Sequence, residues 1–97
     1  MSDTDRGSVP DAFYAPRPTH NPLRFVLPVE RHLCVGPPDR KFMFGGVGLA
    51  SSVTALEAAT GRPVIWATAQ YLSYAHPGSI VDIDVHQPVV GRSVSQA

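Results

Sequence analysis

The chain has 97 residues with eight basic and eight acidic side chains, a formal net charge of zero, and a chain of that length holds one domain around a small core. The charges gather into no basic run or face, which argues against a nucleic-acid partner, and the single cysteine, Cys34, excludes an internal disulfide and fits a reducing compartment. No apolar run approaches the roughly 18 residues of a membrane span and the N-terminus has no apolar signal core, so the sequence reads as a soluble, cytoplasmic protein.

Residues 1–22 are polar and rich in proline, with Phe13 and Tyr14 as their only large apolar side chains. They read as a flexible N-terminal arm able to dock through that aromatic pair, and residues 23–97 as the folded domain. Leu23 to Val35 carries apolar residues in one phase at Phe25, Leu27, Val29, Leu33 and Val35, which predicts a first strand, with Pro28 favouring an edge or bulged position. Gly36 to Arg40 is a loop by composition.

Phe42 to Gly61 reads FMFGGVGLASSVTALEAATG. A Gly-Gly pair opens it and Thr60-Gly61-Arg62-Pro63 closes it, which are helix start and stop signals. Between Gly45 and Thr60 only Glu57 is ionisable, so the helix is expected to be wrapped on most sides by the rest of the fold. Pro63 to Ala75, rich in β-branched and aromatic residues, predicts a long strand with Ile65, Ala67, Ala69, Tyr71 and Ser73 on one face. A type II turn is expected at His76-Pro77-Gly78-Ser79. Ile80 to His86 alternates, with Val81, Ile83 and Val85 inward and Asp82, Asp84 and His86 outward, and Ser93 to Ala97 begins another strand. The last three strands are expected to form an antiparallel meander, in an α+β architecture with a sheet curled round one buried helix.

These residues resemble the hotdog-fold acyl-CoA thioesterases, in particular the N-terminal half of the double-hotdog enzymes of the thioesterase II type. The likeness rests on Phe42-Met43-Phe44-Gly45-Gly46 before a small-residue helix, the aromatic-x-x-Pro-Gly element Tyr74 to Gly78, and a strand leading into Gly91-Arg92-Ser93. It extends over residues 25–97. The resemblance implies an antiparallel sheet wrapped around one long central helix, incomplete at its C-terminal edge, and a second hotdog unit, in cis or as a homo-oligomer, to complete a site. It also implies hydrolysis of an acyl-CoA thioester without a cofactor or metal. The backbone amides of Gly45, Gly46 and Val47 are the candidate catalytic groups, because unpaired amides at a helix start can polarise a carbonyl and hold an oxyanion; the glycines equally suit close helix packing. Phe44, Tyr71, Ser73 and Tyr74 are the candidate substrate-binding residues.

The departures from the family pattern bear on activity. Single-hotdog enzymes often carry a catalytic carboxylate two turns into this helix, where Val53 stands, and Glu57, one turn on, reads as the helix's solvated residue. The hydroxyl position that orients water in the second half of double-hotdog enzymes falls on Ala67, with Thr68 on the opposite face. A base supplied by a second unit, or a catalytically silent module that is structural or acyl-binding, are the two readings left open.

Other chemistry is weaker. Gly46-x-Gly48-x-x-Ser51 looks like a dinucleotide-binding start, yet no acidic residue follows at positions 66–70 for the ribose. Asp82, Asp84 and His86 share a strand face about 7 Å apart, which alternation already explains as a solvated face. Cys34 and His32 share a face of the first strand without an oxyanion site. Ser51 and Ser52 lie outside any nucleophile elbow, and His20 and His76 read as loop or turn residues.

Overall fold

The computed structural model of the protein describes residues 14–97, so most of the expected arm, Phe13 included, lies outside the described residues. In chain order these form β1 (Arg17–Pro18), β2 (Arg24–Pro28), a single 3-10 turn (Arg31–Leu33), β3 (Cys34–Val35), β4 (Phe42–Met43), α1 (Gly45–Thr60), β5 (Ile80–Asp84), β6 (Val89–Val90) and β7 (Ser95–Gln96). The strands pair antiparallel as β1-β2-β5, β3-β4 and β6-β7. Among the described residues one α-helix accompanies antiparallel strands, an α+β arrangement.

The β2-β5 ladder follows from alternation. Its register sets Phe25 opposite Ile83 and Leu27 opposite Val81, and on the other face Arg24 opposite Asp84 and Val26 opposite Asp82. The apolar pairs face α1 and the polar ones face out, as Val81, Ile83 and Val85 were expected to do. β1 reaches only Phe25 and Val26, so Pro28 lies beyond that pairing, where its missing N–H interrupts nothing. The chain just before β1 also docks: Tyr14 packs on the cluster of Leu27, Leu33 and Val47.

Two expected strands differ. The first ends at Pro28 instead of running to Val35. Val29 still exchanges hydrogen bonds with Gly78 and Ser79 at 2.8 and 2.9 Å, and the chain then turns through Arg31–Leu33. A continuous strand would carry Leu33 about 13 Å beyond Val29; the turn folds it back, and Val29 and Leu33 are both buried. His32 therefore lies in a turn and Cys34 in β3, and the two do not share a strand face.

The second difference is larger. Residues 63–75 form no strand. β5 pairs with β2, so the expected meander, in which it would pair with this segment, is absent. Ile65, Trp66, Tyr71, Leu72 and Tyr74 are between 61% and 86% exposed. β-propensity needs a neighbouring ladder to act on, and among the described residues this segment makes a single backbone bond to a strand, at Met43 of β4. Isolated bonds tether it: Val64 N–H to Glu57 Oε2 at 2.9 Å and Tyr71 O–H to the Gly45 carbonyl at 2.8 Å, with the Ala75 carbonyl accepting from Met43 N–H at 2.8 Å.

α1 starts and stops close to where the sequence places it. Gly61 closes it in the left-handed region at φ 70°, a conformation glycine enters without a Cβ penalty. The expected turn after residue 75 is also present, with Gly78 at φ 90° and Ser79 N–H bonded to the His76 carbonyl at 3.2 Å. Only one stripe of α1 is buried, Val47, Ser51 and Ala55, at the i, i+4, i+8 spacing of a single helix face. Ala55 joins Phe25 and Val85 in one cluster, and Val47 joins Leu27 and Leu33 in the other. Leu49 and Glu57 on the other side, and Ala58 near the helix end, are exposed, so the helix is not wrapped on most sides.

Candidate functional site at the start of the helix

The hairpin β3-β4 delivers the chain to the start of α1. Phe44 N–H bonds the Leu33 carbonyl at 2.9 Å, which fixes Phe44 as the residue before the first helical turn. Its backbone is extended and no side chain caps the helix. The Phe44 carbonyl accepts from Val47 N–H at 3.0 Å and from Gly48 N–H at 3.4 Å. Gly45 and Gly46 lie ahead of that bond, and among the described residues their amides have no partner. Two donors at the positive end of a 16-residue helix are thus open.

Aromatic rings flank these amides. A Cβ at Gly46 would meet the Phe44 ring at 2.7 Å, and one at Gly45 would meet the Tyr71 ring at 3.4 Å. Gly48 lies one turn beyond Gly45, and a Cβ there would sit 3.4 Å from the Met43 methyl and 3.8 Å from Tyr71. The Tyr71 ring lies against this face of the helix, at ordinary van der Waals distance from where side chains at 45 and 48 would begin. Gly48 belongs to the dinucleotide-like pattern Gly46-x-Gly48-x-x-Ser51, and its i+3 spacing from Gly45 is the signal that places both on one face.

Of the candidate residues, Gly45, Gly46, Phe44 and Tyr71 come together here. The Val47 amide is engaged by the Phe44 carbonyl and its side chain is in the core. Tyr74 packs against Phe42 instead, with ring centroids 4.9 Å apart, and Ser73 is exposed. Val53 is half-buried on α1, and Ala67 and Thr68 are exposed on the unpaired segment. Glu57 is exposed as expected, but it also accepts the Val64 amide proton, which ties the chain to the helix it has just left.

The remaining chemistry-bearing side chains have local roles. Asp82, Asp84 and His86 are exposed on the outer face. Arg24 grips both Asp84 oxygens, Nε at 2.6 Å and a terminal nitrogen at 3.1 Å. That hydrogen bonding, more than charge alone, holds the Asp84 carboxyl below its ordinary range and raises Arg24 above its own. Among the described residues no three His, Cys, Asp or Glu side chains group as metal ligands would. Cys34 is buried with its Sγ 3.6 Å from the Glu30 carbonyl, His76 Nδ1 lies 3.2 Å from the Lys41 carbonyl, and His20 is exposed. Ser51 is fully buried and its Oγ has no partner.

The surroundings of α1 do not suit a dinucleotide fold. The strand before it, β4, pairs antiparallel with β3, and the chain after it forms no parallel strand, so the βαβ unit that would set a pyrophosphate on these glycines is missing. No helix of the described residues is long and apolar enough to cross a membrane. Compared with protein-family models, curated proteins and solved structures, the chain matches none.

Proposed function

We propose that the chain is a hotdog-type module of the acyl-CoA thioesterase kind, acting in the cytoplasm without nucleic-acid or membrane partners. The observation that carries this reading is the pair of open amides at Gly45 and Gly46, set between the Phe44 and Tyr71 rings at the start of a helix. A thioester carbonyl oxygen fits such donors. Water adds to the carbonyl carbon, a base takes its proton, and the amides hold the resulting oxyanion. Collapse of that intermediate breaks the carbon–sulfur bond and releases the acid and the CoA thiolate, which takes up a proton. The base comes from a second hotdog unit, because Val53 occupies the helix position where a carboxylate would stand and Glu57 is turned toward Val64. The exposed apolar segment 63–75 is where that unit would pack.

The same two residues support a second reading, a silent module that binds acyl-CoA or only completes a larger assembly. Titrating the chain with acyl-CoA thioesters of graded length, and assaying hydrolysis in parallel, separates the two. Binding without turnover favours the silent module.

Gly45→Pro tests the amide assignment under either reading. Proline removes the N–H at 45, is favoured at the first helical position and follows Phe44, whose extended backbone suits the residue before a proline, so the fold should survive. The expected result is acyl-CoA binding or turnover reduced about tenfold or more, on the scale of losing an oxyanion donor. Unchanged binding and turnover would reject the assignment.

A further inference from the structure

At the far end of α1, about 24 Å from Gly45 by helix rise, a cavity of about 390 Å³ opens between the helix end, the first residues of the unpaired segment and the β6-β7 hairpin. Its volume is in the range of small-molecule sites. Its apolar wall is formed by Leu56, Val64, Trp66 and Val94, and its polar wall includes Arg62 and Arg92. Trp66 is 80% exposed there, a large apolar surface with no cover.

The two arginines set the charge. Arg62 is held in place by the hairpin, donating to Ser95 Oγ at 2.9 Å and to the Arg92 carbonyl at 3.1 Å. Those bonds use two of the five guanidinium N–H groups and fix the plane of the rest. No carboxylate among the described residues lies within ion-pair distance of either guanidinium. Glu57, on the last turns of α1, accepts from the Val64 amide and does not line the cavity. A fixed Arg62 guanidinium with no carboxylate of the described residues in ion-pair distance, in a cavity that Arg92 and an open indole also line, is a receptor for an anionic head on an apolar body.

We propose that this cavity binds an amphiphilic anion, an alkyl chain or ring system carrying one carboxylate or phosphate group, with the head on Arg62 and Arg92 and the apolar part against Leu56, Val64 and Trp66. The site is separate from the amides of Gly45 and Gly46 and does not depend on thioester chemistry there.

Trp66 is the only tryptophan of the chain, so its emission reports occupancy directly. The full chain is titrated with decanoate, decyl phosphate, decanol and decyltrimethylammonium, each below its micelle concentration. Saturable, blue-shifted Trp66 emission with either anion, at least tenfold tighter than with decanol or the cation, is expected, and the tighter anion identifies the head group. Arg92→Gln, at a side chain with no bonding partner among the described residues, should weaken the anion at least fivefold and leave decanol unchanged. Arg62→Gln should do the same, with circular dichroism checking that the hairpin persists. Decanol binding as tightly as decanoate, or anion affinity unchanged in Arg92→Gln, would overturn the proposal.

Discussion

The Tyr71 hydroxyl donates to the Gly45 carbonyl across 2.8 Å, joining the middle of an unpaired extended segment to the first residue of α1. The bond leaves the Gly45 amide open. It also holds the Tyr71 ring beside the two glycines, so the side wall of the candidate site depends on a residue 26 positions downstream.

Tyr71→Phe removes this bond and keeps the ring. The bond is exposed, so the expected loss of stability is at the lower end of the usual range, about 0.5 kcal/mol. The local effect should exceed the global one, because so few bonds tether residues 63–75. Limited proteolysis should cut faster between residues 66 and 74, with little change in the amide exchange of β2 and β5. Uniform acceleration over the whole chain would show that Tyr71 supports the core and not only the segment.

The parts of the fold legible in the sequence are those decided by local chemistry. Gly45-Gly46 and Gly61 mark the ends of α1 because a helix start without a side-chain cap and a left-handed closing residue are local requirements. Ile80 to Asp84 is a strand because its alternation meets the matching alternation of Phe25 and Leu27. Residues 63–75 are rich in β-branched and aromatic side chains, yet form no strand: β-propensity acts only through a ladder, and β5 pairs with β2 and not with this segment. Leu33 keeps the apolar phase of Val29 across a turn, so periodicity alone could not reveal the break after Pro28. At the candidate site, Phe44 was legible as a neighbour of Gly45 and Gly46; Tyr71 was legible only as an aromatic strand residue, and its bond to Gly45 is a tertiary fact. The Arg62-Arg92 cavity had no linear signal, since its two arginines are 30 positions apart.

Ser51 is a further case where tertiary position outweighs residue type. It lies between Val47 and Ala55 on the buried stripe of α1, and its Oγ is orphaned. Thr54 and Thr60 bond back to the carbonyls of Ala50 and Leu56, four residues earlier, at 3.0 and 2.8 Å, a resolution open to hydroxyls within a helix. A buried polar group without a partner costs about 1–3 kcal/mol. Ser51→Ala removes that penalty at the loss of little volume, so the urea midpoint should rise, with a gain of about 1 kcal/mol. Ser51→Val, which adds volume against the sheet, should lower it. A clear loss of stability in Ser51→Ala would mean that the hydroxyl has a bonding partner in solution.

The Arg24-Asp84 pair gives the β2-β5 ladder an acid-sensitive end. Asp84 is held below the ordinary carboxylate value, first by the hydrogen bonds from Arg24 and then by the charges of Arg24 and His86, against a smaller opposing effect of burial between them. A carboxylate with a lowered folded pKa stabilises the fold above its unfolded value, near 3.9, and that contribution disappears as pH falls through the folded value. Arg24 stays charged across this window, since its own pKa is raised. Both side chains are open to solvent, so salt should screen the effect. Thermal melts at low salt from pH 6 to pH 2.5 should show wild type losing stability below about pH 4 more steeply than Asp84→Asn, with the two curves converging at the acid end. Added sodium chloride should narrow the gap at pH 6. Parallel curves with a constant offset would show that the carboxylate acts through packing alone and that its titration does not control this end of the ladder.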